Sequence, residues 1–172
     1  LSMPTQPLQL GACPAAVMLP APPLGANTDE VMQEEHHPAQ GSGQGGQPLA
    51  GVRAVDLASF IAGPVITRHL AMLGADVIKV DPKAGDPFRT FSPMFNGWNQ
   101  GKRGIMLDLK KQTGREFLYK IVSTSDVVVE NFRPGVAERL GCSPNDLRSA
   151  SEDLVLVKSP GYGFDKSRAD QP

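Results

Sequence analysis

The hydrophobic pattern of this chain changes at Leu49, where short apolar runs begin to alternate with amphipathic stretches. Runs rich in β-branched side chains predict strands, and the stretches between them carry apolar residues at helical spacing. The predicted strands are residues 52–57, 76–81, 104–108, 126–131 and 154–157, and the predicted helices are 63–73, 113–122, 134–140 and 144–150. This alternation predicts an α/β fold with a Rossmann-like, mostly parallel sheet and helices on both of its faces.

Local signals set the expected ends of two helices. Gly63 and Pro64 open the first of them, because proline is favoured in a first helical turn, and Gly74 follows it as a C-terminal stop. Ser143 precedes Pro144 as the expected N-cap of the last helix. The first helix is expected to turn three residues toward the core, namely Val65, Leu70 and Leu73.

Two regions fall outside this alternation of strands and helices. Residues 83–100 are polar and rich in Gly and Pro, so we expect a loop that crosses the surface. The first 48 residues are rich in proline and predict largely extended or disordered chain, with one short helical candidate at 28–35 that starts at Asn27 or Thr28. We divide the chain into a tail segment at 1–40, a Gly-rich linker at 41–48 and a globular part at 49–172.

Composition narrows the class of protein. The 172 residues are 40% hydrophobic with a formal net charge of −1, which fits one globular domain and gives no argument for nucleic acid as a partner. No apolar run reaches the ~18 residues that span a bilayer, so no membrane partner is expected. The chain does not begin with a basic segment followed by an apolar one, which argues against a signal peptide and for a cytoplasmic protein.

Candidate metal and redox chemistry is sparse. Cys13 and Cys142 are the only cysteines, and this count excludes both a disulfide framework and a Cys-x-x-Cys metal site. His36 and His37 are adjacent, so their side chains point to different sides, and no carboxylate or Cys at helical spacing completes a site. We therefore predict no metal.

The turn after the first predicted strand argues against two common ligands. A dinucleotide site needs Gly-x-Gly-x-x-Gly at this place, and a P-loop needs Gly-x-x-x-x-Gly-Lys followed by Ser or Thr. Ala62-Gly63-Pro64 stands there instead. Asn131 and Phe132 remain as candidates, because they follow a predicted parallel strand and ligands bind at the carboxyl ends of such strands.

Six segments, in order along the chain, carry a resemblance to a known family. They are Pro48-Leu49-Ala50-Gly51-Val52-Arg53, Ala62-Gly63-Pro64, Leu73-Gly74-Ala75-Asp76-Val77-Ile78-Lys79-Val80, Gly101-Lys102-Arg103 with Leu107-Asp108-Leu109-Lys110, Thr113-Gly114-Arg115-Glu116, and Asp126-Val127-Val128-Val129-Glu130-Asn131-Phe132-Arg133-Pro134-Gly135 running on to Glu138-Arg139-Leu140-Gly141. Residues 49–160 therefore resemble the CoA-binding N-terminal part of family III CoA-transferases, which include formyl-CoA, carnitine-CoA and succinyl-CoA-type transferases and 2-methylacyl-CoA racemases.

The resemblance implies a Rossmann-like domain, incomplete here, with a smaller second domain in two interlocked chains. It implies an enzyme that moves CoA between an acyl-CoA thioester and a free carboxylic acid, so coenzyme A is expected as part of the substrate. An Asp carboxylate of the family takes the acyl group as a mixed anhydride. That Asp follows Gly-Tyr-Gly, here residues 161–163, by several tens of residues. We therefore expect it beyond Pro172 and assign it to neither Asp165 nor Asp170.

The resemblance also implies a set of CoA contacts. Phe60 and Ile61 would line the entrance near the thioester, and the segment from Leu107 to Lys110 would flank the adenine and its phosphates. Cations are expected to meet the phosphate oxygens. The full set of expected CoA-binding residues is Phe60, Ile61, Lys83, Lys102, Arg103, Leu107, Lys110, Asn131, Phe132 and Arg139.

Some of these residues have a plain structural alternative. Lysines such as Lys79, Lys110 and Lys111 are often ordinary solvated charges. Phe132 is also explained as a core residue, and Arg139 as a cation that favours a helix C-terminus through the macrodipole.

Two other functions stay open beside the transferase. A racemase of this family would use a His and an Asp as a proton-transfer pair beyond Pro172, although Glu130-Asn131-Phe132 favours the transferase. A non-catalytic piece that binds CoA or pairs with a partner chain is the other alternative. Residues 19–32 resemble the C-terminal end of the same family, so the chain is interpreted as the end of one unit joined to the start of the next. The expected assembly is an interlocked homodimer or a tandem pseudo-dimer.

Overall fold

A computed structural model of the chain describes residues 19–34 and 46–163. The His36-His37 pair, Cys13, Asp165, Asp170 and most of the expected Gly-rich linker lie outside the described residues. The predictions made for them therefore stay predictions.

Strands and helices alternate along the described chain as the hydrophobic pattern predicts. The strands are β1 (Arg53–Asp56), β2 (Asp76–Asp81), β3 (Lys102–Met106), β4 (Val127–Glu130) and β5 (Val155–Lys158). The helices are α1 (Thr28–Gln33), α2 (Ala62–Met72), α3 (Ser92–Asn99), α4 (Gln112–Val122), α5 (Val136–Leu140) and α6 (Pro144–Ala150), with a 3₁₀ turn at Pro87–Thr90. The five strands form one sheet in the order β3-β2-β1-β4-β5, and every neighbouring pair is parallel. The predicted α/β fold is confirmed.

Helix ends follow the local signals in the sequence. Gly74 follows α2 with φ of 101°, a left-handed conformation that glycine adopts without steric cost. At α6 the Ser143 side chain accepts from the Asp146 backbone N–H while the Asp146 carboxylate accepts from the Ser143 backbone N–H. This capping box, with Pro144 in the first turn, fixes where α6 begins.

One face of the sheet packs an apolar core against α4, α5 and α6. Leu118 and Val122 of α4 and Leu147 of α6 are almost fully buried against it. The strands contribute Val55, Ile78, Val80, Ile105 and Val128 to the same core. Burial of side chains on this scale is the main term that favours folding.

The opposite face of the sheet packs against α2 and is built differently. Its apolar cluster is small and consists of Ala54, Ala71, Ala75 and Val77. The predicted inward face of α2 was wrong, because Pro64, Thr67 and Ala71 are buried whereas the residues predicted to face the core, Val65, Leu70 and Leu73, are only half-buried. The inward residues of α2 are small or polar since they meet buried ionic groups of the sheet.

Residues 83–100 are not the surface loop that their polarity suggested. They contain the 3₁₀ turn and α3, and they bury Phe88, Phe95 and Asn99. Asp86 caps the 3₁₀ turn by accepting a hydrogen bond from the Phe88 backbone N–H at 2.9 Å. That prediction was wrong because composition does not distinguish a solvated loop from one packed on α2.

Residues 19–34 cover the outer edge of β3. The Asn27 backbone N–H donates to the Gly104 carbonyl at 2.8 Å, and the Gly104 N–H donates to the Asn27 side-chain oxygen at 2.9 Å. The Met106 N–H donates to the Thr28 hydroxyl at 3.2 Å. These bonds pair main-chain groups that an edge strand otherwise leaves open.

Candidate active site and family membership

A cleft of about 200 Å³ lies at the carboxyl ends of β1, β2, β3 and β4. Its walls are formed by the loops that leave these strands and are largely apolar. The lining residues are Leu57, Ala58, Ser59, Val80, Asp81, Pro82, Asp86, Pro87, Leu107, Asp108, Leu109, Lys110, Phe132 and Leu140. This is the place where open parallel sheets bind ligands.

Three of the residues expected to contact CoA line this cleft directly. Leu107 is almost fully buried in its wall, Phe132 is half-buried, and Lys110 is exposed to solvent at its edge. Phe132 also packs against the apolar core, so its two interpretations are compatible. The Lys110 ammonium is free to turn toward a bound anion.

Asn131 lies next to the cleft, and both ends of its amide are occupied. Its side-chain oxygen accepts from the Ser59 N–H at 2.9 Å, and its nitrogen donates to the Ser59 carbonyl at 2.8 Å. Asn131 therefore holds the loop that leaves β1, and its expected contact with CoA stays a prediction.

Phe60 and Ile61 follow the lining residue Ser59 on the loop between β1 and α2. Their side chains are 50% and 44% exposed, which is high for large apolar residues. Phe60 has φ of 65°, a left-handed backbone conformation that is uncommon for residues other than glycine. Gly63 permits the turn, since a Cβ at that position would lie 2.1 Å from the Ala58 Cβ.

Lys83 and Arg139 are exposed, and each is next in sequence to a residue that lines the cleft. Lys83 follows the lining residue Pro82, and Arg139 precedes the lining residue Leu140. Arg139 also lies in the last turn of α5, where its charge suits the helix macrodipole. Both expected roles of Arg139 are therefore compatible with its position.

Lys102 does not face the cleft. Its buried ammonium donates to the Asp56 carboxylate at 2.8 Å, to the Pro64 carbonyl at 2.9 Å and to the Asn99 side-chain oxygen at 2.8 Å. Burial lowers the pKa of Lys102 to about 8, although Asp56 opposes this shift. A phosphate contact would require these three bonds to break, so the expected phosphate contact does not match the position of Lys102.

The Asp56 carboxylate beside Lys102 is held in its ionised form. Burial by itself raises the pKa of Asp56, but the Lys102 and Lys79 charges outweigh burial and lower the pKa below its ordinary value. Thr67 donates a further hydrogen bond to this carboxylate at 2.7 Å.

Arg103 lies toward the amino ends of the strands. It donates to Asp76 at 2.6 Å and to Glu30 at 3.0 Å, and it also pairs with Glu34. Arg53 joins the same group through Glu34 at 3.1 Å. This cluster binds α1 to the sheet, and the phosphate contact expected for Arg103 does not match its position.

The buried charges beside the cleft were not predicted from the sequence. Lys79 was interpreted as an ordinary solvated charge, yet its side chain is 1% exposed, and Asp81 and Asp86 are also buried. One signal was present in the sequence. Lys79 and Asp81 occupy positions of a strand covered on both faces, where apolar residues are the rule.

A second cavity of about 430 Å³ adjoins the last described residues. It is lined by Ala62, Asn131, Phe132, Arg133, Pro134, Ser159, Pro160, Gly161, Tyr162 and Gly163. Phe132 belongs to the walls of both cavities, so the two are neighbours at the end of β4.

Residues 19–34 and 46–163 contain neither a group of metal ligands nor a membrane-spanning helix. No group of three or more His, Cys, Asp or Glu side chains in this part of the chain is arranged to hold a metal ion. None of its helices is long and apolar enough to cross a membrane.

Comparison with known proteins assigns the family. The family model described as CoA-transferase family III matches residues 49–172. The probable fatty acyl-CoA transferase Rv3272 of Mycobacterium tuberculosis is 33% identical over 136 residues, which cover 73% of this chain and 34% of that protein. The succinyl-CoA–L-malate CoA-transferase alpha subunit of Chloroflexus aurantiacus is 35% identical over 133 residues, or 72% of this chain and 31% of that protein.

The fold comparison agrees with the sequence comparison. A crystal structure of the hypothetical protein Rv3272 from Mycobacterium tuberculosis superposes with a TM-score of 0.70 at 35% identity, covering 73% of this chain and 37% of that chain. The chain spans about a third of the length of the curated relatives that it matches. The match of sequence over residues 49–172 and the matching fold together show that the chain belongs to CoA-transferase family III.

Proposed function

We propose that this chain forms the CoA-binding part of an enzyme that moves CoA between an acyl-CoA thioester and a free carboxylic acid. The observation that carries this proposal is the apolar cleft at the carboxyl ends of β1–β4, which has the exposed Lys110 among its lining residues. The names of two family members support the transferase over a racemase, because both are called CoA-transferases.

The cleft matches the chemistry of the nucleotide half of CoA. Adenine needs an apolar slot, which Leu107, Phe132 and Leu140 provide. The phosphates of CoA need cations. Lys110 lines the slot, and the exposed Lys83 and Arg139 are each next in sequence to a lining residue. Among the ion pairs of the described residues, none involves these three side chains. Binding CoA here would therefore not require an existing ion pair to break.

The thioester end of CoA would lie near Phe60 and Ile61, which follow the lining residue Ser59. In the proposed reaction, an enzyme carboxylate attacks the thioester carbonyl and forms a mixed anhydride while the CoA thiolate leaves. The thiolate then attacks the enzyme carbonyl, which gives an enzyme–CoA thioester and releases the first acid. The acceptor acid reverses these two steps. No described residue is assigned as the attacking carboxylate.

Isothermal titration of the chain with CoA tests the proposal. We expect saturable one-to-one binding that weakens as salt concentration rises, because phosphate contacts are ionic. Lys110→Ala should weaken binding by about fivefold, a change on the order of 1 kcal/mol for one charged hydrogen bond. Lys120→Ala is the matched control, since Lys120 is an exposed lysine on α4 that does not line the cleft. A folded chain that shows no heat of binding with millimolar CoA would refute the proposal.

We also propose that residues 1–40 are the end of a preceding unit joined through a Gly-rich linker to the unit at 49–172. The docking of residues 19–34 along β3 supports this, because the segment contributes hydrogen bonds and Val31 to the fold. The parent protein would then be a tandem pseudo-dimer, with an interlocked homodimer as the alternative. Sequencing the flanking DNA tests this, and flanks without family-like coding sequence would count against the tandem arrangement.

A further inference from the structure

The loop that leaves β1 is held by side chains from three different elements. Lys79 of β2 donates to the Ala58 carbonyl at 2.8 Å. The amide of Asn131 holds both main-chain groups of Ser59. The Asp86 carboxylate accepts from the Phe60 N–H, with its two oxygens at 3.2 and 3.3 Å from that nitrogen. Three consecutive residues are therefore fixed through their backbone, and the first two of them, Ala58 and Ser59, line the cleft.

Phe60 is the residue that most needs such support. Its φ of 65° places it in the left-handed region, where the Cβ of a non-glycine residue is strained. A strained backbone persists only when its surroundings impose it. The surroundings here include the Asp86 carboxylate on the Phe60 N–H and the Phe88 ring at 5.8 Å from the Phe60 ring.

The groups that impose this conformation are buried ions. The Lys79 and Asp86 side chains are 1% and 0% exposed, and their charged atoms are 3.2 Å apart. Asp81 lies 3.5 Å from the same ammonium and is paired on its other side with Arg89 at 2.6 Å. Buried ion pairs are seldom better for stability than apolar side chains of the same volume. Their value here lies in directed bonds to the Ala58 and Phe60 backbone.

We propose that Asp86 is a positioning residue for CoA binding, because its bond to the Phe60 backbone N–H holds the loop that carries the lining residues Ala58 and Ser59. This inference rests on the proposed function of the cleft. Asp86 itself is a positioning residue and not a ligand, since its oxygens are taken by Phe60, Phe88 and Lys79.

A double-mutant cycle tests the role of Asp86 in the full chain. Asp86→Ala removes the acceptor, so the Phe60 backbone relaxes and the dissociation constant for CoA rises about tenfold. Phe60→Gly removes the steric cost of a positive φ, because glycine adopts that conformation freely. In the Phe60→Gly background, Asp86→Ala should therefore weaken CoA binding by less than about threefold. An equal tenfold loss in both backgrounds, or no loss in either, would overturn the proposal.

Amide hydrogen exchange of Ser59, Phe60 and Ile61 without ligand gives a second, independent readout. Asp86→Ala should speed exchange at these amides by at least about tenfold, while exchange in α4 changes only by the amount that global stability changes. If wild-type chain does not bind CoA, the proposed function fails and this exchange pattern still decides the role of Asp86. Unchanged exchange at the loop would overturn it.

Asp86→Asn keeps the experiment decisive if Asp86→Ala does not fold. The asparagine oxygen still accepts from the Phe60 N–H but no longer pairs with the Lys79 charge. Loop exchange and CoA affinity should stay within about threefold of wild type. A loss as large as that expected for Asp86→Ala would show that charge, and not the bond to Phe60, is what matters, and would overturn the proposal.

Discussion

On one face of the sheet the side chains under α4 and α6 are apolar, whereas on the other face the side chains under α2 include buried ions. The apolar face holds Leu118, Val122 and Val128 with almost no exposure. The α2 face holds Asp56 and Lys102, whose charged groups are both 0% exposed. The two faces share the same strands, so the difference between them lies in the side chains alone.

The two faces of the sheet therefore differ in what their side chains contribute, which is stability on one face and positioning of a loop on the other. Apolar packing is non-directional and supports the fold wherever volume is filled. The ions of the α2 face make directed bonds instead, and several of these end on the backbone of the loop that borders the cleft. Asp56 accepts from the Ala58 N–H at 3.0 Å, and Lys79 donates to the Ala58 carbonyl. We infer that the apolar face mainly stabilises the domain and the charged face mainly shapes the cleft.

The largest expected effect comes from leaving a buried charge without its partner. Asp56→Ala removes the carboxylate that pairs with Lys102, so the free energy of unfolding should fall by about 3–5 kcal/mol. Urea denaturation measures the loss. Asp153→Ala, at an exposed aspartate, is the control and should stay within about 0.5 kcal/mol of wild type. A loss below about 1 kcal/mol for Asp56→Ala would show that the ion pair is not needed on this face.

A cavity on the apolar face should cost somewhat less. Leu118→Ala removes a fully buried side chain and should lower the free energy of unfolding by about 3 kcal/mol. The amide exchange of residues 58–61 should follow this global loss without any additional local opening. Leu19→Ala is the control, since Leu19 is 71% exposed. If Leu118→Ala sped amide exchange at residues 58–61 by more than the global loss of stability explains, the inference that the two faces have different roles would be contradicted.

Acidification should affect the charged face selectively. The folded pKa of Asp56 lies below the unfolded value near 3.8, so its contribution to stability is present above that pH and is lost as pH falls through the folded pKa. The difference in unfolding free energy between wild type and Asp56→Asn should therefore narrow from pH 6 to pH 3. The corresponding difference for Leu118→Ala, where no charge changes, should stay constant. If both differences in unfolding free energy changed equally with pH, the ionised state assigned to the buried Asp56 carboxylate would be refuted.

The smallest effect is a reactivity difference at Cys142. Burial raises the pKa of this thiol to about 12, so only about one molecule in ten thousand carries the thiolate at pH 8. In a Cys13→Ser background, labelling of Cys142 by iodoacetamide should require unfolding. The labelling rate should therefore rise in Leu118→Ala by the same factor as the unfolded fraction of the protein. Labelling of wild type as fast as in urea would show that the core around Cys142 is open in the folded state.

Much of the fold was predictable because local physics specifies it. The five strands were located within a residue or two at each end, since short β-branched runs bounded by Gly, Pro and polar residues have few alternatives. The start of α6 followed from Ser143 and Pro144. The helix in 83–100 was missed because its amphipathic pattern is short and its Gly and Pro content is typical of loops.

Part of the predicted set of CoA contacts lies together in the fold. Leu107, Lys110 and Phe132 line the cleft at the carboxyl ends of the strands, and their contacts with CoA stay a prediction. Lys102 and Arg103 were expected there as well, yet their charges are engaged elsewhere with Asp56 and Asp76. Residue type shows that a cation is present, but not which carboxylate it meets.

The sequence by itself determined the order of the five strands along the chain, the helices other than α3, and the family. These depend on periodicity, caps and segment order, which are local along the chain. Only the tertiary structure decided that Lys79 and Asp86 are buried, that Asn131 holds Ser59, and that residues 19–34 cover β3. Those contacts join residues far apart in sequence, and their partners are chosen by how the elements pack.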